Sequence, residues 1–258
     1  MSNKLNSINI SGRRLEVRSI EPADQTLPTL VFLHEGLGSV SLWREFPDRV
    51  AQATGAGAHI YSRHGYGQSN TLEVKRQPDY MHREALDVLP ALLREFGVQK
   101  AILFGHSDGA SIALIHAGAG HPVAGLILEA PHVFVEEITL RGASQAAVSY
   151  RTTDLPNKLA RHHRDADKTF WGWHDIWTSP SFRDGNIESY LASITCPALL
   201  IQGEQDQYGS VAQIDAIAAA TKGATRKHML PNCGHTPHRE QADLTLELVT
   251  SFLRGLPS

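Results

Sequence analysis

The chain is short of cysteine, of long apolar runs and of any excess charge. Cys196 and Cys233 are the only two cysteines in 258 residues; they form neither a disulfide framework nor a zinc-ligand spacing, so both read as packing residues. Nowhere do eighteen apolar residues run together, which leaves no candidate membrane span. Residues 1–22 hold no apolar h-region either, so a soluble, cytoplasmic protein with no membrane partner is expected. Lysine and arginine number 24 against 27 aspartates and glutamates, a formal charge of −3, and this balance suggests no nucleic-acid surface. Histidine is plentiful at 14, yet no H-x-x-x-H pair backed by a carboxylate occurs, and no metal is expected. Internal repeats and low-complexity tracts are missing too. What remains is an ordinary globular composition, long enough for one sizeable core with an inserted subdomain.

Within that composition one rhythm dominates. Residues 8–10 and 13–20 flank a Ser-Gly turn and predict a hairpin. From Thr29 onward, short apolar runs alternate with longer amphipathic segments, the βα pattern of a mostly parallel sheet covered on both faces. The predicted strands are 29–34, 58–63, 100–105, 124–130, 197–203 and 226–231, with helices around 41–54, 80–96, 108–119, 210–222 and 238–254. Between about Val135 and Ser193 the rhythm stops, and Phe170, Trp171, Trp173, Trp177 and Phe182 gather among charged residues and turn signals. An insertion of this kind predicts a helical cap over the carboxyl edge of the sheet, where open α/β sheets bind ligands. The chain then divides into core residues 1–134, a cap over 135–193, and core residues 194–258.

The stretch GHSDGA, residues 105–110, carries the chemistry. A G-x-S-x-G pattern alone is weak, but here KAILFG supplies a strand before it and ASIALIHAGA an Ala-rich helix after it. That context puts Ser107 on a sharp elbow, with glycine needed at 105 and 109 because a side chain would crowd the turn. A serine hydroxyl attacks only when a base takes its proton, and the base needs an acid to fix its tautomer. Both can be found in loops at later strand ends: Asp206 follows PALLIQG, and His235 follows RKHMLP. Glu204 is a rival acid and His238 a rival base.

These residues, with LVFLHEGLGS (30–39), YSRHGYGQS (61–69), GEQD (203–206) and CGHTPH (233–238), resemble the α/β-hydrolase superfamily, specifically its compact capped serine-esterase-like branch. The resemblance covers nearly the whole length. It implies an α/β-hydrolase fold with a mostly parallel central sheet, helices on both faces and a helical cap inserted between strands. It implies Ser107 as nucleophile, Asp206 as acid and His235 as base. It also implies an oxyanion hole built from the backbone N–H groups of Asp108 and of Gly36, with Leu37 as the alternative donor. Glu35 departs from the family pattern, which usually has glycine there.

Glu35 and Asp108 therefore flank the expected oxyanion hole, and each has two readings. Asp108 can simply face the positive end of its helix, and Glu35 can brace its loop through Arg63, His34 or His64. Alternatively one carboxylate faces the pocket, takes a hydroxyl or cationic group of the substrate and disfavours acidic substrates. Pocket candidates are Glu35, Leu37, Trp171, Trp173 and Trp177. The resulting expectation is hydrolysis of a small carboxylic ester, or a lactone or thioester, through an acyl-enzyme and without a cofactor. Serine at 107 argues against dehalogenases and epoxide hydrolases, whose resemblance would require a carboxylate there. The alternatives are carbon–carbon bond hydrolysis of a vinylogous diketone, a slow-turnover ligand-binding protein, and cofactor-free oxygenation on the same scaffold. The expected partner is a small-molecule substrate; the one protein partner considered is a second copy of the chain, in a homodimer.

Overall fold

Ser11 and Gly12 take φ values of 53° and 80°, the backbone of a two-residue hairpin turn whose twist matches that of the strands it joins. They connect β1 (Asn3–Ile10) to β2 (Arg13–Ile20) in antiparallel register, as the Ser-Gly signal predicts. The computed structural model describes residues 3–256. The strands that follow are β3 (Leu30–Leu33), β4 (Ala58–Tyr61), β5 (Ala101–His106), β6 (Val123–Glu129), β7 (Ala198–Gly203) and β8 (Thr225–Leu230). Their order across the sheet is β1-β2-β4-β3-β5-β6-β7-β8; β2 meets β4 antiparallel, and every pairing beyond that is parallel.

The strand cores bury both faces, and alternate residues divide between two apolar layers. Val31, Leu33, Leu103, Leu126, Leu128 and Leu200 enter one layer. Leu30, Phe32, Ile102, Phe104, Ile127, Leu199 and Ile201 enter the other. This is the two-residue period of a pleated strand in a sheet covered on both sides. The edge strand β8 differs: Arg226 and Lys227 are exposed, which blunts an edge that would otherwise invite pairing.

The helices are α1 (Phe46–Thr54), α2 (Tyr80–Arg83), α3 (Leu89–Glu95), α4 (Asp108–Gly118), α5 (Glu137–Thr152), α6 (Leu155–Ala160), α7 (Ala166–Trp177), α8 (Val211–Ala220), α9 (Pro237–Glu240) and α10 (Ala242–Arg254). Three of the predicted helices are broken. Residues 41–54 split into a 3-10 turn, Val40–Trp43, and α1, because Arg44 sits at φ 52° and Pro47 starts the new helix. Residues 80–96 are wound as a π-turn over Glu84–Val88 just before Pro90, whose ring would crowd the carbonyl four residues back in a regular helix. Residues 238–254 divide at Gln241, where φ is −133°. Between β6 and β7 the chain runs through α5, α6, α7 and two 3-10 turns, with no strand of the sheet. This segment lies on the loops after β3 and β4: His163 Nε2 donates to Leu37 O at 3.0 Å in the first, and in the second Thr169 Oγ1 donates to Gly65 O at 2.7 Å and Gly67 N–H donates to His163 Nδ1 at 2.9 Å. Among the described residues, no helix is long and apolar enough to cross a membrane.

Candidate active site

The site begins where β5 ends. Ser107 stands between β5 and α4 at φ 54° and ψ −116°, a conformation that costs a residue with a side chain on the order of 1–3 kcal/mol. Tight packing on both sides enforces it. A Cβ at Gly109 would lie 1.9 Å from Leu33 O, and one at Gly105 would lie 2.5 Å from Ala110 Cα. Both glycines of the pattern are thus required by backbone passing close to backbone. Ser107 O accepts from Ala110 N–H and Ser111 N–H, at 2.9 and 3.1 Å, which starts α4 and leaves the hydroxyl above the sheet.

The loops after β7 and β8 bring the other two residues in. His235 Nε2 lies 2.9 Å from Ser107 Oγ, and His235 Nδ1 lies 2.9 Å from each Asp206 carboxylate oxygen. An ionised carboxylate can only accept, so Nδ1 carries the proton and Nε2 accepts from the serine hydroxyl. Asp206 is itself held: Gln202 Nε2 donates to Oδ2 at 2.6 Å, and the N–H groups of Tyr208 and Gly209 donate to Oδ1 at 2.8 and 3.3 Å. Burial pushes this carboxyl toward neutrality, but its interaction and hydrogen bond with His235 and the hydrogen bond from the Tyr208 N–H outweigh it and hold it below its ordinary value. The rivals lie elsewhere. Glu204 is exposed. His238 is buried, with Nδ1 2.6 Å from Glu129 Oε2 and its ring against Trp43.

Gly36 and Asp108 both line the small cavity that holds Ser107 and His235, about 130 Å³ in volume. Among the described residues, neither backbone N–H donates a hydrogen bond within the protein. A Cβ at Gly36 would meet Trp173 Nε1 at 2.2 Å, so glycine is required there for α7 to approach. Glu35 and Leu37 are in the wall, as are Trp173 and Trp177. Trp171 is not: it faces an outer groove and packs against Arg151, whose guanidinium carbon lies 4.9 Å from its ring centroid. Helical spacing explains the correction, because 173 and 177 are four apart on one face of α7 while 171 falls on the other. His132, Thr139 and Tyr208 complete the wall, and the sequence reading missed all three. His132 and Tyr208 follow the carboxyl ends of β6 and β7, which is the signal that could have found them.

The two acids separate. The Asp108 carboxylate is turned into the protein and fully partnered: Oδ2 accepts from Tyr80 Oη at 2.8 Å and from Arg63 Nη2 at 3.4 Å, and Oδ1 accepts from Trp177 Nε1 at 3.2 Å. Glu35 stays on the cavity wall, and its partner is none of the three expected. Its Oε2 lies 3.4 Å from His106 Nδ1, whereas His34 and Arg63 hold only its main-chain oxygen, at 2.7 and 2.9 Å. Burial disfavours both charges, yet the contact with His106 holds Glu35 well below the usual carboxylate range and raises His106 above the usual imidazole value.

One group of residues among those described could offer atoms to a metal: His106, Glu129 and His238, with ligand atoms within 4.8 Å of one another. Bonds of about 2.1 Å to one ion would draw any two such atoms to within about 4.2 Å. Glu129 already accepts from His238, so this trio as arranged is a buried carboxylate–imidazole pair beside a second histidine.

Residues 30–248 match the model of the alpha/beta hydrolase family, and the chain belongs to that family. It is similar to serine hydrolase BPHL of Homo sapiens, 28% identical over 197 residues covering 74% of this chain and 67% of that protein. It is also similar to 2-succinyl-6-hydroxy-2,4-cyclohexadiene-1-carboxylate synthase of Enterobacter sp. (strain 638), 25% identical over 254 residues covering 88% of this chain and 92% of that protein. The solved enol-lactonase from Burkholderia xenovorans LB400 shares the fold, with a TM-score of 0.75 at 20% identity, covering 96% of this chain and 100% of the other.

Proposed function

We propose that the chain is a serine hydrolase that cleaves a small carboxylic ester, or a lactone or thioester, in the cytoplasm and without a cofactor. The observation that carries this is the placement of His235 between Ser107 Oγ and Asp206 at 2.9 Å on either side. On this reading His235 takes the Ser107 proton as Oγ attacks a carbonyl whose oxygen sits between the Gly36 and Asp108 N–H groups. The tetrahedral oxyanion collapses, the leaving group takes the proton from His235, and a water activated by His235 then cleaves the acyl-enzyme. The similarity to serine hydrolase BPHL and the fold shared with an enol-lactonase support hydrolysis of an ester or a lactone. Carbon–carbon hydrolysis of a substrate bearing a carboxylate is less well matched, because ionised Glu35 stands on the cavity wall.

A fluorophosphonate label read by mass spectrometry tests the reading. Wild type is expected to gain one adduct on Ser107, and Ser107→Ala none. Competition with esters, lactones, thioesters and diketones then ranks the substrates. An unlabelled wild type would remove the proposal, and labelling without multiple turnovers on any of them would favour a ligand-binding protein.

A further inference from the structure

His106 occupies the variable position of the G-x-S-x-G pattern, one residue before Ser107, and is fully buried outside the wall of the cavity that holds the serine. Its two ring nitrogens reach the two other segments that build the site. Nε2 lies 2.7 Å from the main-chain oxygen of His235, and Nδ1 lies 3.4 Å from Glu35 Oε2. A carbonyl oxygen only accepts, so Nε2 carries hydrogen; a bare Nδ1 would set its lone pair against the Glu35 carboxylate, so Nδ1 carries hydrogen as well. The other titratable groups packed on the ring leave this arrangement alone. Glu129 accepts from His238 Nδ1, and the His235 and His238 rings stand 5.2 and 5.1 Å away between centroids.

The bond to His235 O completes the hold on one peptide. Among the described residues this oxygen has no other partner. The N–H of the same peptide belongs to Thr236 and donates to Glu240 Oε1 at 3.0 Å, while Gly234 N–H donates to Glu240 Oε2 at 2.8 Å. A planar trans peptide held at its oxygen and at its N–H has its direction fixed. His106 therefore links the backbone that carries the base to the backbone that carries the nucleophile, apart from the contact between Ser107 Oγ and His235 Nε2.

We propose that His106 is a positioning residue that ties the His235 loop to the Ser107 elbow and keeps the base in register with the nucleophile throughout the reaction. This deepens the hydrolase reading and rests on it. The need for such a tie follows from the order of events. Once Ser107 is acylated its oxygen has no hydrogen left to donate, so the hydrogen bond between Ser107 and His235 is gone when His235 has to direct water at the acyl carbon. The bond from His106 ends on main-chain oxygen and persists through both half-reactions.

The test uses the full chain, with fluorophosphonate labelling taken to completion to count competent Ser107 sites and kcat for 4-nitrophenyl acetate expressed per labelled site. Partial loss of folded protein then does not imitate the effect. Glutamine places its amide near the position of Nε2 and keeps a donor for His235 O, whereas asparagine places its amide near Nδ1 and leucine has none. His106→Gln is expected to stay within about threefold of wild-type kcat, and His106→Asn and His106→Leu to lose about tenfold to a hundredfold, with KM changed little. A fall in His106→Gln as deep as in His106→Asn overturns the proposal, and so does wild-type kcat in His106→Asn or His106→Leu. Each of these outcomes leaves Ser107 labelled and the hydrolase reading intact; a wild type that takes no label counts against the hydrolase reading itself.

Discussion

Arg63 Nη2 donates to the main-chain oxygen of Glu35 at 2.9 Å, from a guanidinium that is 1% exposed. His34 Nδ1 reaches the same oxygen at 2.7 Å, and its Nε2 accepts from Arg63 N–H at 3.0 Å, so the two residues form one clamp. A trans peptide is planar, with its C=O and N–H pointing in opposite directions. Fixing Glu35 O therefore fixes the Gly36 N–H, the donor assigned to the oxyanion. Replacing Arg63 by Lys keeps the charge and loses the rigid fork. The expected outcome of Arg63→Lys is a fall in kcat of about tenfold to a hundredfold with KM changed little, read from steady-state ester hydrolysis. A rise in KM with kcat intact would show that the clamp serves binding and not the oxyanion.

The Glu35–His106 pair predicts a pH signature in stability. A carboxyl held below its ordinary 4.5 contributes stability that is present above that value and lost as pH falls through its folded value. An imidazole raised above its ordinary 6.5 contributes stability that is present below that value and lost as pH rises through its folded value. Both contributions coexist between about pH 5 and 6. Glu35→Gln is therefore expected to lower Tm there by about 2–4 °C, for a loss on the order of 1 kcal/mol, and the gap should narrow toward pH 9. A gap constant across that range would mean that the pair is not ionised as described.

The sheet and the Ser107–His235–Asp206 alignment were legible because each rests on a local signal. The apolar runs of β3, β5 and β7 are bounded by turn residues, and Gly105 and Gly109 mark the close approach of the turn to α4 and of α4 to Leu33 of β3. The directions of Glu35 and Asp108 were not legible. Tyr80, Trp177 and His106, which take those carboxylates, come from an interrupted helix, from α7 and from the variable position of the G-x-S-x-G pattern, and no spacing rule joins them. Trp171 failed for a different reason. Clustering in sequence groups it with Trp173 and Trp177, but the helical period of α7 turns it to the outer groove, away from both.

Asp206 offers a cleaner separation of charge from geometry. Gln202 and the Tyr208 and Gly209 N–H groups hold its two oxygens independently of His235. Asp206→Asn keeps the shape of the side chain but presents an amide that cannot stabilise an imidazolium, and it favours the wrong tautomer of His235. A kcat loss on the order of 10⁴ is expected, with the thermal midpoint lowered by only a few degrees. Retention of more than about a tenth of wild-type kcat would place the acid elsewhere.

Asp108 and Ser107 then give opposite expectations for stability. Arg63 is buried against Asp108, so Asp108→Asn leaves a buried guanidinium with one counter-charge fewer and is expected to cost on the order of 3 kcal/mol in urea unfolding. Ser107 instead carries strain, with φ at 54°. Alanine keeps the Cβ and therefore the strain, whereas glycine removes it at an entropic cost of about 0.5–1 kcal/mol in the unfolded chain. Both exchanges remove the Ser107 hydroxyl, so activity is not expected to distinguish them and unfolding is. Ser107→Gly is expected to be more stable than Ser107→Ala by about 1 kcal/mol, close to 2–4 °C in Tm for a chain of this size. A glycine variant less stable than the alanine variant by about 0.5–1 kcal/mol, the entropic cost alone, would mean that the elbow is unstrained.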